Sequence, residues 1–192
     1  MCDDNQLIHA ALGGSAEAFG QLVRRYQDRL YHTVKHVVGS AEDARDVVQE
    51  AFTKAFTGLE RFQQNSTFYT WLCSIALNAA RTHLRRQRSR RAQQTCSIDA
   101  RREIDDFEPL AHGSNPQDDA QRNEQVAQVW EALARLDDDH RQVVVLREID
   151  GLSYEQIAQV LELPIGTVRS RLFRARTRLR DLLKQTVGDD NR

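Results

Sequence analysis

Little in this chain supports catalysis, metal binding or membrane insertion. Its three cysteines, Cys2, Cys73 and Cys96, lie far apart and show no C-x-x-C spacing, so neither a disulfide framework nor a zinc site is indicated. That usage fits a reducing cytoplasm. No apolar run approaches the ~20 residues needed to cross a bilayer, which argues against direct membrane insertion. The opening Met1-Cys2-Asp3-Asp4-Asn5 is acidic and polar, unlike the basic and then apolar order of a secretory signal. There is no glycine-rich phosphate loop and no nucleophile paired with a base, so the expectation is no enzyme and no cofactor. His32 and His36 stand four apart on a helical pattern, yet no nearby Glu or Cys completes a metal site. They read as exposed histidines.

Net charge is also scarce. The formal value of −1 argues at face value against a nucleic-acid binder, but the charge is segregated. Arg81, Arg85, Arg86, Arg88, Arg90 and Arg91 form one block without an acid. Arg169, Arg171, Arg174, Arg176, Arg178, Arg180 and Lys184 form a second, against Asp181 alone. Between the blocks, Asp99, Glu103, Asp105, Asp106, Glu108, Asp118 and Asp119 face only Arg101 and Arg102. A single basic block is often a solvated helix face. Two blocks, each ending a patterned helical segment, are harder to dismiss.

The apolar period is helical throughout. Phe19, Leu22, Val23, Tyr26, Leu30, Val34 and Val37 form one stripe, with Ser15 as its N-cap. Gly39-Ser40 breaks the chain. Ala44, Val47, Val48, Ala51, Phe52, Ala55, Phe56 and Leu59 then repeat at amphipathic spacing, and Asp46, Gln49, Glu50 and Thr53 occupy the opposite face. A third helix is expected from about Phe68 to Arg88, buried through Leu72, Ile75, Ala76 and Ala79. Residues 92 to 119 carry no sustained period and hold two of the three prolines, Pro109 and Pro116. They read as a linker. Helix resumes through Val126, Val129, Trp130, Leu133 and Leu136, and the β-branched run Val143-Val144-Val145-Leu146 is read as buried helix. The predicted fold is all-α, with two small helical domains, 1–91 and 120–192, joined by a flexible acidic linker over 92–119.

The C-terminal half carries a helix-turn-helix pattern. Ser153 can cap a helix whose Gln156 returns a bond to the Ser153 amide, and Leu152 with Ile157 can form a hydrophobic staple. Leu163-Pro164-Ile165-Gly166 ends that helix, because proline cannot continue it and glycine permits the turn. A second helix starts near Thr167, with Val168, Leu172, Ala175 and Leu179 toward the core. Ser170, Phe173, Arg174 and Thr177 lie on another face, beside Arg169 and Arg171. A recognition helix touches base edges with its N-terminal half, where arginine suits guanine O6/N7 and an aromatic ring a thymine methyl. Arg176, Arg178, Arg180 and Lys184 lie further along and read as phosphate contacts.

In the N-terminal half, Phe62, Phe68, Tyr69 and Trp71 flank the loop Gln63-Gln64-Asn65-Ser66-Thr67. Ser74, Asn78, Arg81 and Arg85 follow on one face that turns cationic. Aromatics beside amide and cationic groups suit an unstacked base and its phosphates. The same residues also suit an ordinary core with a solvated face.

Four stretches together resemble the extracytoplasmic-function sigma factors of bacteria, in particular the envelope-stress sigma-E-like group. They are Asp46-Val47-Val48-Gln49-Glu50-Ala51-Phe52, Ser66-Thr67-Phe68-Tyr69-Thr70-Trp71-Leu72, the run from Arg147 to Glu155, and the run from Pro164 to Arg176. The chain departs from the family pattern at Gln63-Gln64-Asn65 and at Cys73. The resemblance implies a cytoplasmic factor that joins core RNA polymerase and directs it to promoters. It places Asp46, Gln49, Glu50 and Thr53 on the β′ clamp helices. It places Phe62, Trp71, Ser74, Asn78, Arg81 and Arg85 at the −10 element. Arg169, Ser170, Arg171, Phe173, Arg174 and Arg176 fall at the −35 element, with their domain resting on the β flap. It also implies an anti-sigma partner, often membrane-bound, and a stress response. A stand-alone helix-turn-helix regulator would share the C-terminal half, but has no use for the Phe62–Arg81 constellation or the polar Asp46/Gln49/Glu50 face.

The linker's reach bears on this reading. Promoter elements ~25 base pairs apart are separated by ~85 Å at ~3.4 Å per pair. Residues 92 to 119 reach at most ~90–100 Å when extended, and only ~30 Å on average as a coil. The linker by itself therefore does not hold the two halves apart. The expectation is that polymerase supplies the spacing and that the basic surfaces become available only then. The acidic residues Glu103, Asp105, Asp106 and Glu108 are expected to lie in a basic channel of that partner.

Overall fold

A computed structural model describes residues 3–93 and 116–189, and among them every regular element is helical. The first helix, α1 (Asp4–Leu12), precedes the first stripe read from the sequence and buries Leu7 and Ile8. Its Asp4 carboxylate accepts from Arg25 and from the Tyr26 hydroxyl of α2 (Ala16–Val38). Burial, and then Asp4, push the Tyr26 phenol up to about 12. Ser15 caps α2 by accepting from the Ala18 amide at 3.3 Å. Gly39 ends it at φ 76°, a left-handed conformation that only glycine adopts without strain. Ser40 then opens α3 (Ala41–Thr57), accepting from the Asp43 amide at 3.2 Å.

Small residues on the inner face of α3, Ala44, Ala51 and Ala55, are fully buried and let it lie close to its neighbours. A turn of 3-10 helix at Leu59–Arg61 leads to α4 (Phe68–Gln93), which packs on α3 and α2 and runs past the end expected near Arg88. Thr67 starts it, its hydroxyl accepting from the Thr70 amide at 3.1 Å.

The second group begins with α5 (Pro116–Ala134), ahead of Val126, because proline at a first helical position costs no hydrogen bond. Residues 92–119 are thus helical at both ends. Residues 94–115, which hold Asp99, Glu103, Asp105, Asp106 and Glu108, lie outside the described residues. Val129 faces solvent rather than the core. Asp137 caps α6 (Asp138–Val144), accepting from the His140 amide at 3.0 Å. Val143 to Leu146 are buried and helical as expected, but the chain widens into a π-helical turn over Val145–Ile149. There the Asp150 amide bonds back to Val145 O at 3.0 Å.

Arg141 of α6 is 2% exposed. It donates to the carbonyls of Leu133, Ala134 and Leu136 at 3.0, 2.9 and 2.6 Å. Leu133 and Ala134 end α5 and Leu136 lies just beyond it, so a neighbouring helix supplies donors where the helical ladder runs out. Its Nη1 also reaches Val37 O, at the end of α2, at 3.3 Å. The last two helices, α7 (Tyr154–Leu161) and α8 (Ile165–Asp189), form the helix-turn-helix.

The two groups of helices are docked on one another. α7 lies on α4, the π turn lies on α2, and buried apolar residues of both groups form one cluster. His36 of α2 stacks on Trp130 of α5, ring centroids 3.7 Å apart and planes within 3°. Only His32 of the histidine pair is exposed, which corrects the expectation for His36. No group of metal-ligating side chains and no helix long and apolar enough to cross a membrane occurs among the described residues.

Candidate nucleic-acid interface

Three surfaces can be built from the residues upward. On α3, burying Ala44, Val47, Ala51 and Ala55 turns Asp46, Gln49, Glu50 and Thr53 outward, all exposed. Thr53 Oγ1 donates to Gln49 O at 2.9 Å, and Glu50 pairs with Lys54 one turn on. Phe56 belongs to this surface and not to the core. It is 53% exposed, touches Phe19 edge-on at 5.0 Å, and continues the Gln49–Thr53 stripe at i+7. The sequence pattern placed it inside because the apolar period alone cannot tell where a stripe runs off the edge of its neighbours.

The second surface surrounds the start of α4. Phe62 and Trp71 are half-buried and pack at 5.0 Å, with Phe68 behind them at 6.0 and 5.8 Å. Phe68 and Tyr69 are core residues, 2% and 3% exposed, so two of the four flanking aromatics are not available to a base. Ser74 spends its hydroxyl proton on Trp71 O at 2.7 Å. Asn78, Arg81 and Arg85 are exposed, and Arg81 Nη1 donates to Asn78 Oδ1 at 3.0 Å. The loop before them projects Gln63, Gln64 and Asn65 into solvent.

The third surface is the helix-turn-helix. Ser153 and Gln156 form the reciprocal cap, at 3.2 and 2.8 Å, and Leu152 and Ile157 are buried as the staple requires. The turn is made by Glu162 at φ 55°, not by glycine, and Gly166 lies inside the first turn of α8. Val168, Leu172 and Ala175 are fully buried, which sends Arg169, Ser170, Phe173 and Arg174 outward, Phe173 at 73% exposure. Ser170 donates to Thr167 O at 3.0 Å and keeps its lone pairs for an outside donor. Two of the predicted reading arginines are paired: Arg171 with Asp139 at 2.9 Å, and Arg176 with Glu148 at 3.0 Å. Backbone amide bonding at the start of α7 and the Ser153 hydroxyl, then Arg169 and Arg147, hold the Glu155 carboxyl below its ordinary range.

These surfaces remain open while the two groups of helices are docked. Arg81, Arg85, Arg169 and Arg174 are solvent-exposed in the docked arrangement, so docking does not cover the basic faces as expected. It holds them on one compact body instead.

A model of Sigma-70 region 2 matches residues 22–90, and a model of Sigma-70, region 4 matches residues 127–179. The ECF RNA polymerase sigma-E factor of Escherichia coli is 42% identical over 90% of both chains. The chain belongs to the extracytoplasmic-function sigma factors. The RNA polymerase sigma-H factor of Pseudomonas aeruginosa is 39% identical, again over 90% of each chain. Among solved structures, CnrH in complex with the cytosolic domain of CnrY aligns with a TM-score of 0.68 at 31% identity. It covers 95% of this chain and 97% of that one. RpoE of Bartonella quintana, solved with the anti-sigma factor NepR, aligns with a TM-score of 0.70 at 27% identity, covering 88% and 98%. An extracytoplasmic-function sigma factor is a DNA-binding transcription initiation factor and not an enzyme, which accounts for the exposed arginines of α4 and α8.

Proposed function

We propose that this sigma factor binds core RNA polymerase in the cytoplasm through α3 and directs it to stress-response promoters. Asp46, Gln49, Glu50 and Thr53 take the β′ clamp helices, with Phe56 as an apolar anchor at the edge of that polar face. Phe62, Trp71, Asn78, Arg81 and Arg85 act at the −10 element. Ser74 contributes there as a lone-pair acceptor. Arg169, Ser170, Phe173 and Arg174 read the −35 element from α8, while the second group of helices rests on the β flap. Arg171 and Arg176 join them once Asp139 and Glu148 release them. The working units are residues 1–91 and 120–192, with 92–119 as the tether between them. An anti-sigma factor, in some members of the family a membrane protein, holds the chain inactive, as the relatives solved with CnrY and NepR suggest.

The observation that carries this reading is the exposed polar face of α3 ending in Phe56, opposite a fully buried apolar stripe. A stand-alone helix-turn-helix regulator has no need of it. The test mixes the purified chain with core polymerase and a promoter library randomised at both elements, and sequences the transcripts. Enrichment of paired elements at fixed spacing is the expected result. Binding to DNA that is indifferent to polymerase, with no initiation, would support the regulator instead.

A further inference from the structure

The seam between the two groups of helices has a polar centre. The Asp150 carboxylate, 1% exposed, follows the π turn and points into the N-terminal helices. Arg29 Nε of α2 donates to its Oδ1 at 2.7 Å, and Arg29 Nη2 donates to the Asp150 carbonyl at 2.8 Å. The Tyr69 hydroxyl of α4 lies 2.9 Å from both carboxylate oxygens. The Arg29 guanidinium also covers the Tyr69 ring, 3.9 Å from its centroid. A buried carboxylate without partners is expensive, so Asp150 is tolerable inside the protein only while both helices hold it. Further along the seam Arg88 pairs with Asp138, and His36 stacks on Trp130.

The seam also carries a feature that favours parting. Trp130 Nε1 has no hydrogen-bond partner among the described residues, and opening the seam would hydrate it. Asp150 and Arg29 likewise regain hydration when apart. The contact is therefore built to hold and to release. A docked body cannot place Arg81 and Arg174 on elements ~85 Å apart at ~3.4 Å per base pair.

We propose that Arg29, Tyr69 and Asp150 form a latch that closes the free sigma factor on itself, and that releasing it is a required step before polymerase and promoter are engaged. The closing rests on the seam alone; its consequence for polymerase rests on the function proposed above. The chain restrains itself before any partner does.

Cys73 reports the state of the latch, because it is fully buried on α4 one turn after Tyr69. The experiment uses the full chain with Cys2→Ser and Cys96→Ser, leaving one thiol for an aromatic disulfide reagent. Asp150→Ala and Arg29→Met should each raise the Cys73 reaction rate by roughly tenfold or more, as losing a charge-assisted buried contact shifts the opening equilibrium. Tyr69→Phe keeps the ring in the core and should give a smaller rise, so the result does not hang on one variant folding. The radius of gyration from small-angle scattering should increase in the same order from a compact parent, near ~16 Å for a closed chain of this length. Helical circular dichroism identifies any variant that has merely unfolded. Unchanged rates and radii in all folded variants would overturn the latch. Core polymerase should bind the latch variants more tightly by the factor in opening, since a rarely open state weakens apparent affinity. Equal polymerase binding by parent and variants, with faster thiol reaction, would overturn release as a required step. Faster thiol reaction with no polymerase binding by any form would leave the latch standing and refute the sigma function of the chain.

Discussion

The His36 imidazole lies face to face on the Trp130 indole across the seam between the two groups of helices, 3.7 Å between centroids. Neither residue has this role within its own helix. The stack exists because the groups dock, and it makes docking sensitive to protonation.

Burial, reinforced by His32 and Lys35, lowers the His36 pKa from 6.5 to about 4. The folded chain therefore holds His36 neutral while the unfolded chain binds a proton below pH 6.5. Stability contributed by the neutral stack is present above that value and is lost as pH falls toward 4. Between pH 7 and pH 5 the loss should be roughly 2 kcal/mol in urea unfolding. His36→Phe keeps an aromatic face on Trp130 and should flatten this part of the pH profile; an unchanged profile would place the titrating group elsewhere.

Phe52 and Phe56 are one helical turn apart but live in different environments, 8% and 53% exposed. Phe52→Ala should cost about 3–5 kcal/mol of stability, as for other buried aromatics. Phe56→Ala should cost far less in thermal unfolding, yet weaken core polymerase binding by about 1–2 kcal/mol as an interface anchor. If Phe56→Ala left polymerase affinity unchanged, the exposed ring would have no part in that contact.

Arg174 and Arg178 both lie exposed on α8, one in its N-terminal half and one beyond it. Arg174→Ala should cost about 1–3 kcal/mol at the cognate −35 element and relax preference at one base position. Arg178→Ala should weaken all sequences alike and reduce the salt slope by about one ion. Titrating both variants on cognate and scrambled duplexes at several salt concentrations separates the roles. Uniform weakening by Arg174→Ala would make it a phosphate contact.

Much was legible in the linear sequence because the signals were local. Ser15 and Ser153 cap the helices that follow them, as their positions ahead of the apolar stripes indicate. The alternation of Val168, Leu172 and Ala175 with Arg169, Phe173 and Arg174 decides by helical period alone which face of α8 meets solvent. Family membership followed from such short motifs in order. α1 was missed although Leu7 and Ile8 are on its buried face, because a short helix carries little period.

Contacts between distant residues were not legible. Arg171 and Arg176 have the same local signature as Arg169 and Arg174, but Asp139 and Glu148 reach them from other elements. The sequence determined two groups of helices, an arginine-bearing face on each and a near-zero net charge made of opposed blocks. Only the tertiary structure decided that Phe68 and Tyr69 are core, that Phe56 is not, and that Asp150 is held by Arg29 and Tyr69. A helix's own period fixes its inward face, but a charge in the interior is settled by whichever partners the fold brings to it.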